Sequence, residues 1–232
     1  MTILNESFLN SVRNEALSKR SIQVDNFVID LGTEGPLILR DGELWLITAE
    51  VRGGKWGKHY VLVSPSIDSV TSRKESFLRI DSGCLSGVVF GDITCDCLQQ
   101  LRQAQKVLLK KGGTIVHIPS QDGRGWQEYK MANQRLMKDC GLDTIDAAIQ
   151  FYGDKNIIDS RTFNESAIIL RALGFPEGYK FVLGTSNLAK VEALRDVGFE
   201  VQAYPVEVPK LSSVALRNLS AKYKHWGIKK EK

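Results

Sequence analysis

Phe181-Val182-Leu183-Gly184-Thr185-Ser186-Asn187-Leu188-Ala189-Lys190-Val191-Glu192-Ala193-Leu194-Arg195-Asp196-Val197-Gly198-Phe199-Glu200-Val201 changes its apolar period twice in quick succession. Phe181–Leu183 is a short apolar run, Asn187–Val197 places its apolar residues at helical spacing, and Gly198 ends that run before Phe199–Val201 turns strand-like again. The stretch predicts a strand-helix-strand unit, so the C-terminal end is layered α/β structure.

Upstream the texture differs. Short extended runs at Pro36–Arg40, Glu43–Glu50, His59–Val63 and Phe77–Ile80, with Asp41-Gly42 and Gly53-Gly54 as turn chemistry, predict antiparallel strands and hairpins. An amphipathic helix is expected around Phe8–Leu17. From Leu98 the period becomes helical through Leu101, Val107 and Leu108, and Gly112-Gly113 closes that helix before a strand at Thr114–Ile118. A second helix is expected over Gln127–Asp139, ending at Cys140-Gly141, and a third from Thr162, where Thr162-x-x-Glu165 has the form of a capping box. With no repeat and no Pro- or Ser-rich linker, one α/β (mixed α+β) domain over residues 1–232 is the economical reading: a mixed sheet, antiparallel in its first half, with helices packed on it.

Composition narrows the function class. At 232 residues, with 43% hydrophobic and 25% charged residues, the chain can bury its own core without disulfide staples. Met1–Arg20 carries scattered charges, and no run approaches the ~18 apolar residues of a membrane span, so a cytoplasmic protein without membrane attachment is expected. The net charge of +4 is uneven: Arg217–Lys232 holds six Lys or Arg against one Glu, leaving the rest of the chain at −1. That basic tail reads as a solvated or frayed end, and no specific nucleic-acid role is expected.

The cysteines point to chemistry. Cys84, Cys95 and Cys97 crowd together while Cys140 stands apart, a spacing that suits a metal better than bridges. Cys95 and Cys97, two apart, would turn their sulfurs to one side of an extended segment, where Cys84 can join them. Three thiolates fit zinc with a fourth position left for water; a fourth protein ligand from Cys140, His59, His117 or His225 would make the site structural, and three buried free cysteines is the plain alternative. Separately, Gln121-Asp122-Gly123-Arg124-Gly125 follows a strand and precedes a helix, where backbone amides and an arginine can hold an anion; its plain alternative is an ordinary glycine-rich turn.

Taken in order, Ser82-Gly83-Cys84-Leu85-Ser86-Gly87, Phe90-Gly91, Cys95-Asp96-Cys97 with Gln100-Leu101, Gln121-Asp122-Gly123-Arg124, Gly141-x-Asp143-Thr144, Asp159-x-Arg161-x-Phe163, and Thr185-x-Asn187 with Lys190-Val191-Glu192 resemble the motifs of GTP cyclohydrolase II, with Leu219-x-x-Lys222-x-Lys224 a looser echo of its C-terminal end. The likeness runs from about Arg79; residues 1–78 show no matching motif, and the catalytic core would be residues 79–210. The resemblance implies a homodimeric hydrolase that opens the imidazole ring of GTP and releases formate and pyrophosphate, in the manner of riboflavin biosynthesis. It implies zinc on Cys84, Cys95 and Cys97, magnesium on the phosphates, and Asp159 and Arg161 as the catalytic pair. By the same resemblance Arg79, Gln100, Asp122, Gly123, Arg124, Thr144, Thr185 and Lys190 would contact a purine nucleoside triphosphate. The family account makes Asp159 a proton acceptor and Arg161 a nucleophile; a guanidinium that stays protonated is a poor nucleophile and a good stabiliser of phosphoryl charge, so both roles stay open. The chain departs from the family pattern at Asp81 and Gly83, at Val88 and Thr94 in the metal loop, at Pro119-Ser120, at Gln127–Met131, and at Arg135, where a tyrosine is usual. These departures leave two other readings: a paralogue that opens a different ring, and a zinc-stabilised nucleotide-binding protein without turnover, against which the joint retention of Asp159, Arg161 and all three cysteines argues.

Overall fold

The computed structural model describes residues 5–17, 20–127, 129–208 and 210–226. In chain order the elements are α1 (Glu6–Leu17), β1 (Arg20–Val24), β2 (Phe27–Leu39), β3 (Gly42–Val51), β4 (Lys58–Ser64), α2 (Ile67–Thr71), β5 (Glu75–Asp81), a π-helical turn (Leu85–Val89), α3 (Cys97–Lys111) and β6 (Gly113–His117). A 3₁₀ segment (Pro119–Gly125), α4 (Tyr129–Cys140), α5 (Thr144–Tyr152), α6 (Asn164–Ala172), β7 (Lys180–Gly184), α7 (Leu188–Arg195), β8 (Glu200–Tyr204) and α8 (Ser213–Trp226) complete it.

One eight-stranded mixed sheet joins both halves, in the order β1-β2-β3-β4-β6-β5-β7-β8. Strands β1 to β4 pair antiparallel, β4 meets β6 antiparallel, and β6, β5, β7 and β8 run parallel. The expected layout of an antiparallel first half and a C-terminal strand-helix-strand unit is therefore present. Alternation along the strands divides two faces. Leu78 and Ile80 of β5 with Val116 of β6 bury against Ile169 and Leu170 of α6 and Val191 and Leu194 of α7. On the other face Phe77 and Ile115 meet Ala104 and Leu108 of α3. The chain passes from β5 to β6 on one side and then crosses back to β7 on the other. The carboxyl end of β5 is thus a topological switch point, the place where open α/β sheets bind ligands.

Several expectations change in detail. The run expected at Pro36–Arg40 is, up to Leu39, the end of the longer β2, with Arg40 in the turn, and β1, α2, α5 and α8 add to the elements expected. The helix expected over Gln127–Asp139 starts at Tyr129, and Glu128 lies outside the described residues. The capping box at Thr162 does not form: α6 has Phe163 at its N-cap, and Glu165 reaches across to accept hydrogen bonds from Lys55 N at 2.7 Å and Trp56 N at 3.3 Å. Much of the tail expected to fray is ordered, since residues 217–226 belong to α8; residues 227–232 lie outside the described residues.

Candidate active site

A cavity of about 1050 Å³ opens at the carboxyl ends of β5, β6 and β7, and the three clustered cysteines, Asp159, Arg161 and every candidate substrate contact line it. Its metal wall is built from the chain that leaves β5. Cys84 is followed by the π-helical turn Leu85–Val89, Cys95 sits in the bend after it, and Cys97 is the first residue of α3. The segment holding Cys95 and Cys97 is therefore a bend running into a helix start and not the extended run expected. The sulfurs still converge: all three lie within 4.8 Å of one another, with Cys84 Sγ 3.7 Å from Cys95 Sγ. Tetrahedral zinc with Zn–S bonds near 2.3 Å spaces its sulfurs by about 3.8 Å, so the donor set fits that ion. Gly87 makes room for it, because a Cβ there would stand 2.7 Å from Cys95 Sγ and 3.1 Å from Cys84 Sγ.

Among the described residues this metal-competent cluster has three members, and none of the fourth-ligand candidates Cys140, His59, His117 and His225 joins it. Cys140 is exposed at the end of α4, the fully buried His59 faces the Gly57 carbonyl through Nδ1 at 3.0 Å, and His117 Nδ1 lies 2.7 Å from Asp81 Oδ2. Three thiolates this close repel one another unless a cation compensates them. The shared charge settles on Cys84, whose pKa falls well below the thiol range because Cys95 and Cys97 hydrogen bond to its sulfur; the Cys97 thiol is pushed up by the same contacts.

A second wall comes from the loop before α6. Arg161 and Asp159 form a bidentate pair, Nε to Oδ1 at 2.8 Å and Nη2 to Oδ2 at 2.5 Å. Burial works against both charges, yet the mutual attraction wins: Asp159 is held below its ordinary pKa and Arg161 above its own. Paired this way, Asp159 is a weak base and Arg161 stays a cation. The loop is braced from the N-terminal half. Trp56 Nε1 donates to Thr162 Oγ1 at 2.8 Å, Lys55 Nζ donates to the Ser160 carbonyl at 3.0 Å, and Gln121 Nε2 donates to the Thr162 carbonyl at 2.6 Å.

The floor is cationic. Arg79 on β5 donates to the Gly184 carbonyl at 2.8 Å and to Gln100 Oε1, and lies 3.6 Å from Asp81. Lys190 on α7 donates to the Ile80 carbonyl at 2.8 Å. Burial, then the nearby Arg79 and Arg161, hold Lys190 well below the usual lysine pKa. Thr185, at the end of β7, is buried and accepts from Asn187 N at 3.0 Å. Gln100 is engaged at both ends of its carboxamide, accepting from Arg79 and donating to Asp96 Oδ2 at 2.5 Å. As placed it links an arginine to an aspartate at the cavity wall.

Between the walls lies the loop after β6. Gly123, Arg124 and Gly125 all have positive φ, 59°, 61° and 84°, so Arg124 adopts a conformation that non-glycine residues rarely hold. A Cβ on Gly125 would come within 2.5 Å of Ser160 Oγ and 2.8 Å of the Trp56 ring, which is how closely this loop packs on the brace. Asp122 accepts from Leu85 N at 3.2 Å and from Gly123 N at 2.7 Å, fastening the loop to the metal wall. Arg124 Nη2 donates to Thr144 Oγ1 at 2.8 Å, and Asn133 Nδ2 donates to the same oxygen at 3.0 Å. Arg135, at the position of the family's usual tyrosine, has a side chain 85% exposed and pairs with Asp139 away from the cavity.

Three groups in this region went unread in the sequence. Lys130 of α4 places Nζ 3.3 Å from Cys84 Sγ. Helix α8 holds the metal loop, with Ser212 Oγ donating to the Ile93 carbonyl at 2.6 Å and Asn218 Nδ2 to the Thr94 carbonyl at 2.8 Å. Trp56 and Glu165 form the brace described above. For α8 the signal was legible, since Ser212 precedes a helical run; for the other two, nothing local in sequence marks the contact.

Relatives carry the same stretch. The GTP cyclohydrolase II family model matches residues 43–205, well into the part that showed no motif by eye. The chain is 34% identical over 144 residues to the GTP cyclohydrolase-2 of Psychromonas ingrahamii, covering 62% of this chain and 68% of that protein. It is 34% identical over 151 residues to that of Campylobacter fetus, covering 65% and 72%. With the riboflavin biosynthesis protein RibBA of Cytophaga hutchinsonii it shares 28% identity over 197 residues, 84% of this chain but 44% of the relative, so the chain spans less than half of that protein. No described helix is long and apolar enough to cross a membrane. The extent of the family match, over a site whose cysteines, Asp-x-Arg loop and glycine-arginine loop meet in one cavity, shows that the chain belongs to the GTP cyclohydrolase II family.

Proposed function

We propose that the protein is a zinc-dependent hydrolase that opens the imidazole ring of GTP, or of a related purine nucleotide, with release of formate and pyrophosphate. The carrying observation is that a three-sulfur cradle of zinc dimensions and the Asp159–Arg161 pair line the same cavity. When bound, zinc supplies a Lewis acid and an acidified water for attack on the ring carbon between two nitrogens.

The chain's own residues do the rest. Arg79, Arg124, Arg161 and Lys190 crowd the floor and far wall, and the lowered pKa values of Arg124 and Lys190 record, after burial, mutual repulsion that an anion would relieve. A polyphosphate with its magnesium is the substrate group that suits them, because it brings the negative charge and acceptor oxygens that a free base or nucleoside lacks. Arg161, kept charged by Asp159, stabilises negative charge developing on the phosphoryl group and is not the nucleophile. Asp159 orients Arg161. Asp122, whose carboxyl is pushed up by burial and by neighbouring Cys84, faces the cavity between metal and phosphate walls as the candidate for reading the purine edge.

Purified protein supplied with zinc and magnesium and offered GTP, ATP, guanosine and uracil tests this. Formate and pyrophosphate should appear together from GTP, and calorimetry should show a triphosphate binding at least about tenfold tighter than its nucleoside. Equal affinity for guanosine and GTP would remove the phosphate subsite. Formate from no purine nucleotide would remove the ring-opening activity.

A further inference from the structure

Lys130 is a buried-site cation that the reading above leaves without a task. It stands in the first turn of α4, its side chain 15% exposed, with Nζ 3.3 Å from Cys84 Sγ and 4.0 Å from Asp92 Oδ2. Gly123 lies alongside its backbone, at a distance where a Cβ would make an ordinary contact, 3.4 Å from Lys130 N. Asp92 is itself tethered, accepting from Thr94 N at 2.9 Å, from Thr94 Oγ1 at 3.0 Å and from Gln134. The ammonium is thus aimed at the sulfur from a rigid seat.

Elementary charge counting says why a cation belongs there. A divalent ion on three thiolates leaves the centre one negative charge in excess, and that charge sits in a part-buried pocket beside the acid Asp122. Arg161 faces Cys97 from the opposite wall, at longer range and already paired to Asp159. Among the described residues, Lys130 is the cation in hydrogen-bonding reach of a ligand sulfur. An N–H⁺···S contact holds Cys84 as the thiolate that metals bind, fixes the direction of its lone pairs, and offsets the excess charge.

We propose that Lys130 is a positioning residue of the metal centre, which sets the affinity of the Cys84–Cys95–Cys97 cradle for its divalent ion by orienting and charge-compensating the Cys84 sulfur. The inference rests on the three-thiolate metal reading.

The test uses the full chain, stripped and titrated with zinc against a chromophoric chelator. Lys130→Met should bind zinc about 10- to 100-fold more weakly than the parent, the usual cost of losing a group that orients a metal ligand. Lys130→Arg, which keeps the charge and a donor, should recover most of that loss. Cobalt substitution adds a second readout, because the sulfur-to-cobalt charge-transfer band should move in Lys130→Met and return in Lys130→Arg. If Lys130→Met does not fold, Lys130→Gln carries the same comparison. Asp92→Asn separates the sulfur contact from simple loop support and should keep zinc affinity within about threefold, below the range seen for a lost ligand-orienting group. Zinc affinity within twofold of the parent in Lys130→Met, or an equal loss in Asp92→Asn, would overturn the proposal. A parent protein that takes up no zinc would instead bring down the metal reading itself, which the first titration shows before any variant is made.

Discussion

Gly87 sits buried among the three cysteines, so one added methyl group tests the cradle directly. Its φ is outside the left-handed region, and alanine there brings no backbone strain; the effect falls on what the methyl touches. A Cβ would lie 2.7 Å from Cys95 Sγ and 3.1 Å from Cys84 Sγ. Non-bonded contact begins near ~3.5 Å, so Cys95 must retreat by about 0.8 Å and Cys84 by about 0.4 Å. Zinc sites tolerate only about 0.2 Å in their ligand distances, so both displacements exceed what the geometry allows. Gly87→Ala should therefore weaken zinc binding by about 100-fold or more, with an overpacking cost of about 1–3 kcal/mol in the fold. Chelator competition measures the first. Melting with and without zinc measures the second and shows how much of the zinc-dependent stabilisation disappears. A folded Gly87→Ala protein with parental zinc affinity would refute the reasoning, because the sulfurs would then have room that the geometry denies them.

Three further outcomes are expected. The Cys95→Ser, Cys97→Ser double variant should lose stoichiometric zinc by metal analysis, and full retention would remove these ligands from the site. Arg161→Ala should keep zinc but lose pyrophosphate release by about 100-fold or more, the scale of removing one donor to a developing charge; release at the parental rate would make Arg161 a bystander. His59 is fully buried, with Nε2 lacking a partner, and burial lowers its pKa to about 4. The unfolded chain binds that proton below about pH 6.5 while the native one does not, so stability should fall as pH drops from 6.5 towards 4, by up to about 3 kcal/mol from this group. Urea unfolding at pH 7 and pH 5 reads it, and His59→Phe should flatten the difference.

The C-terminal half was legible because its signals are local. Gly112 and Gly198 mark helix ends, and Asn187 caps α7 by accepting from Ala189 N at 3.0 Å. Helix α5, absent from the expected elements, carries local signals of the same kind, with Asp143 accepting from Ile145 N and Asp146 N and Gly153 left-handed at its end. At Thr162 a local pattern misled, because Glu165 found stronger partners in Lys55 and Trp56, more than a hundred residues earlier in the chain. The basic count after Arg217 likewise hid a helix whose uncharged Ser212 and Asn218 make the contacts that fix its place. Within the site, residue types and spacing gave the cysteines, and the family resemblance gave the Asp-x-Arg pair, but spacing carries no information about a lysine that reaches a sulfur 46 positions away.

That asymmetry bears on where the chain departs from its relatives. Arg135 faces solvent, so a substitution there removes a tyrosine without putting its replacement in the cavity. The neighbouring positions on α4 do face inward: Lys130 toward Cys84, Asn133 toward Thr144, and Gln134 toward Asp92 and Thr94. Asn133 keeps Oδ1 buried and without a hydrogen-bond partner on the cavity wall, a group that a substrate N–H would satisfy. Thr94, another departure, is bound from three sides, by Asp92, by Gln134 and by Asn218 of α8. Thr94 and Lys130 are thus linked around the metal wall, whereas Ser120, a third altered position, donates to the carbonyl of Trp56, which with Glu165 braces the Asp159–Arg161 wall, and Asp81 lies 3.6 Å from Arg79 on the floor. On the proposed function, the changes that touch the metal wall bear on how the ring end is held, while Asp159 and Arg161 themselves keep their bidentate pair for the phosphate end. Differences in substrate between this chain and its relatives should accordingly appear at the base, with the triphosphate requirement shared.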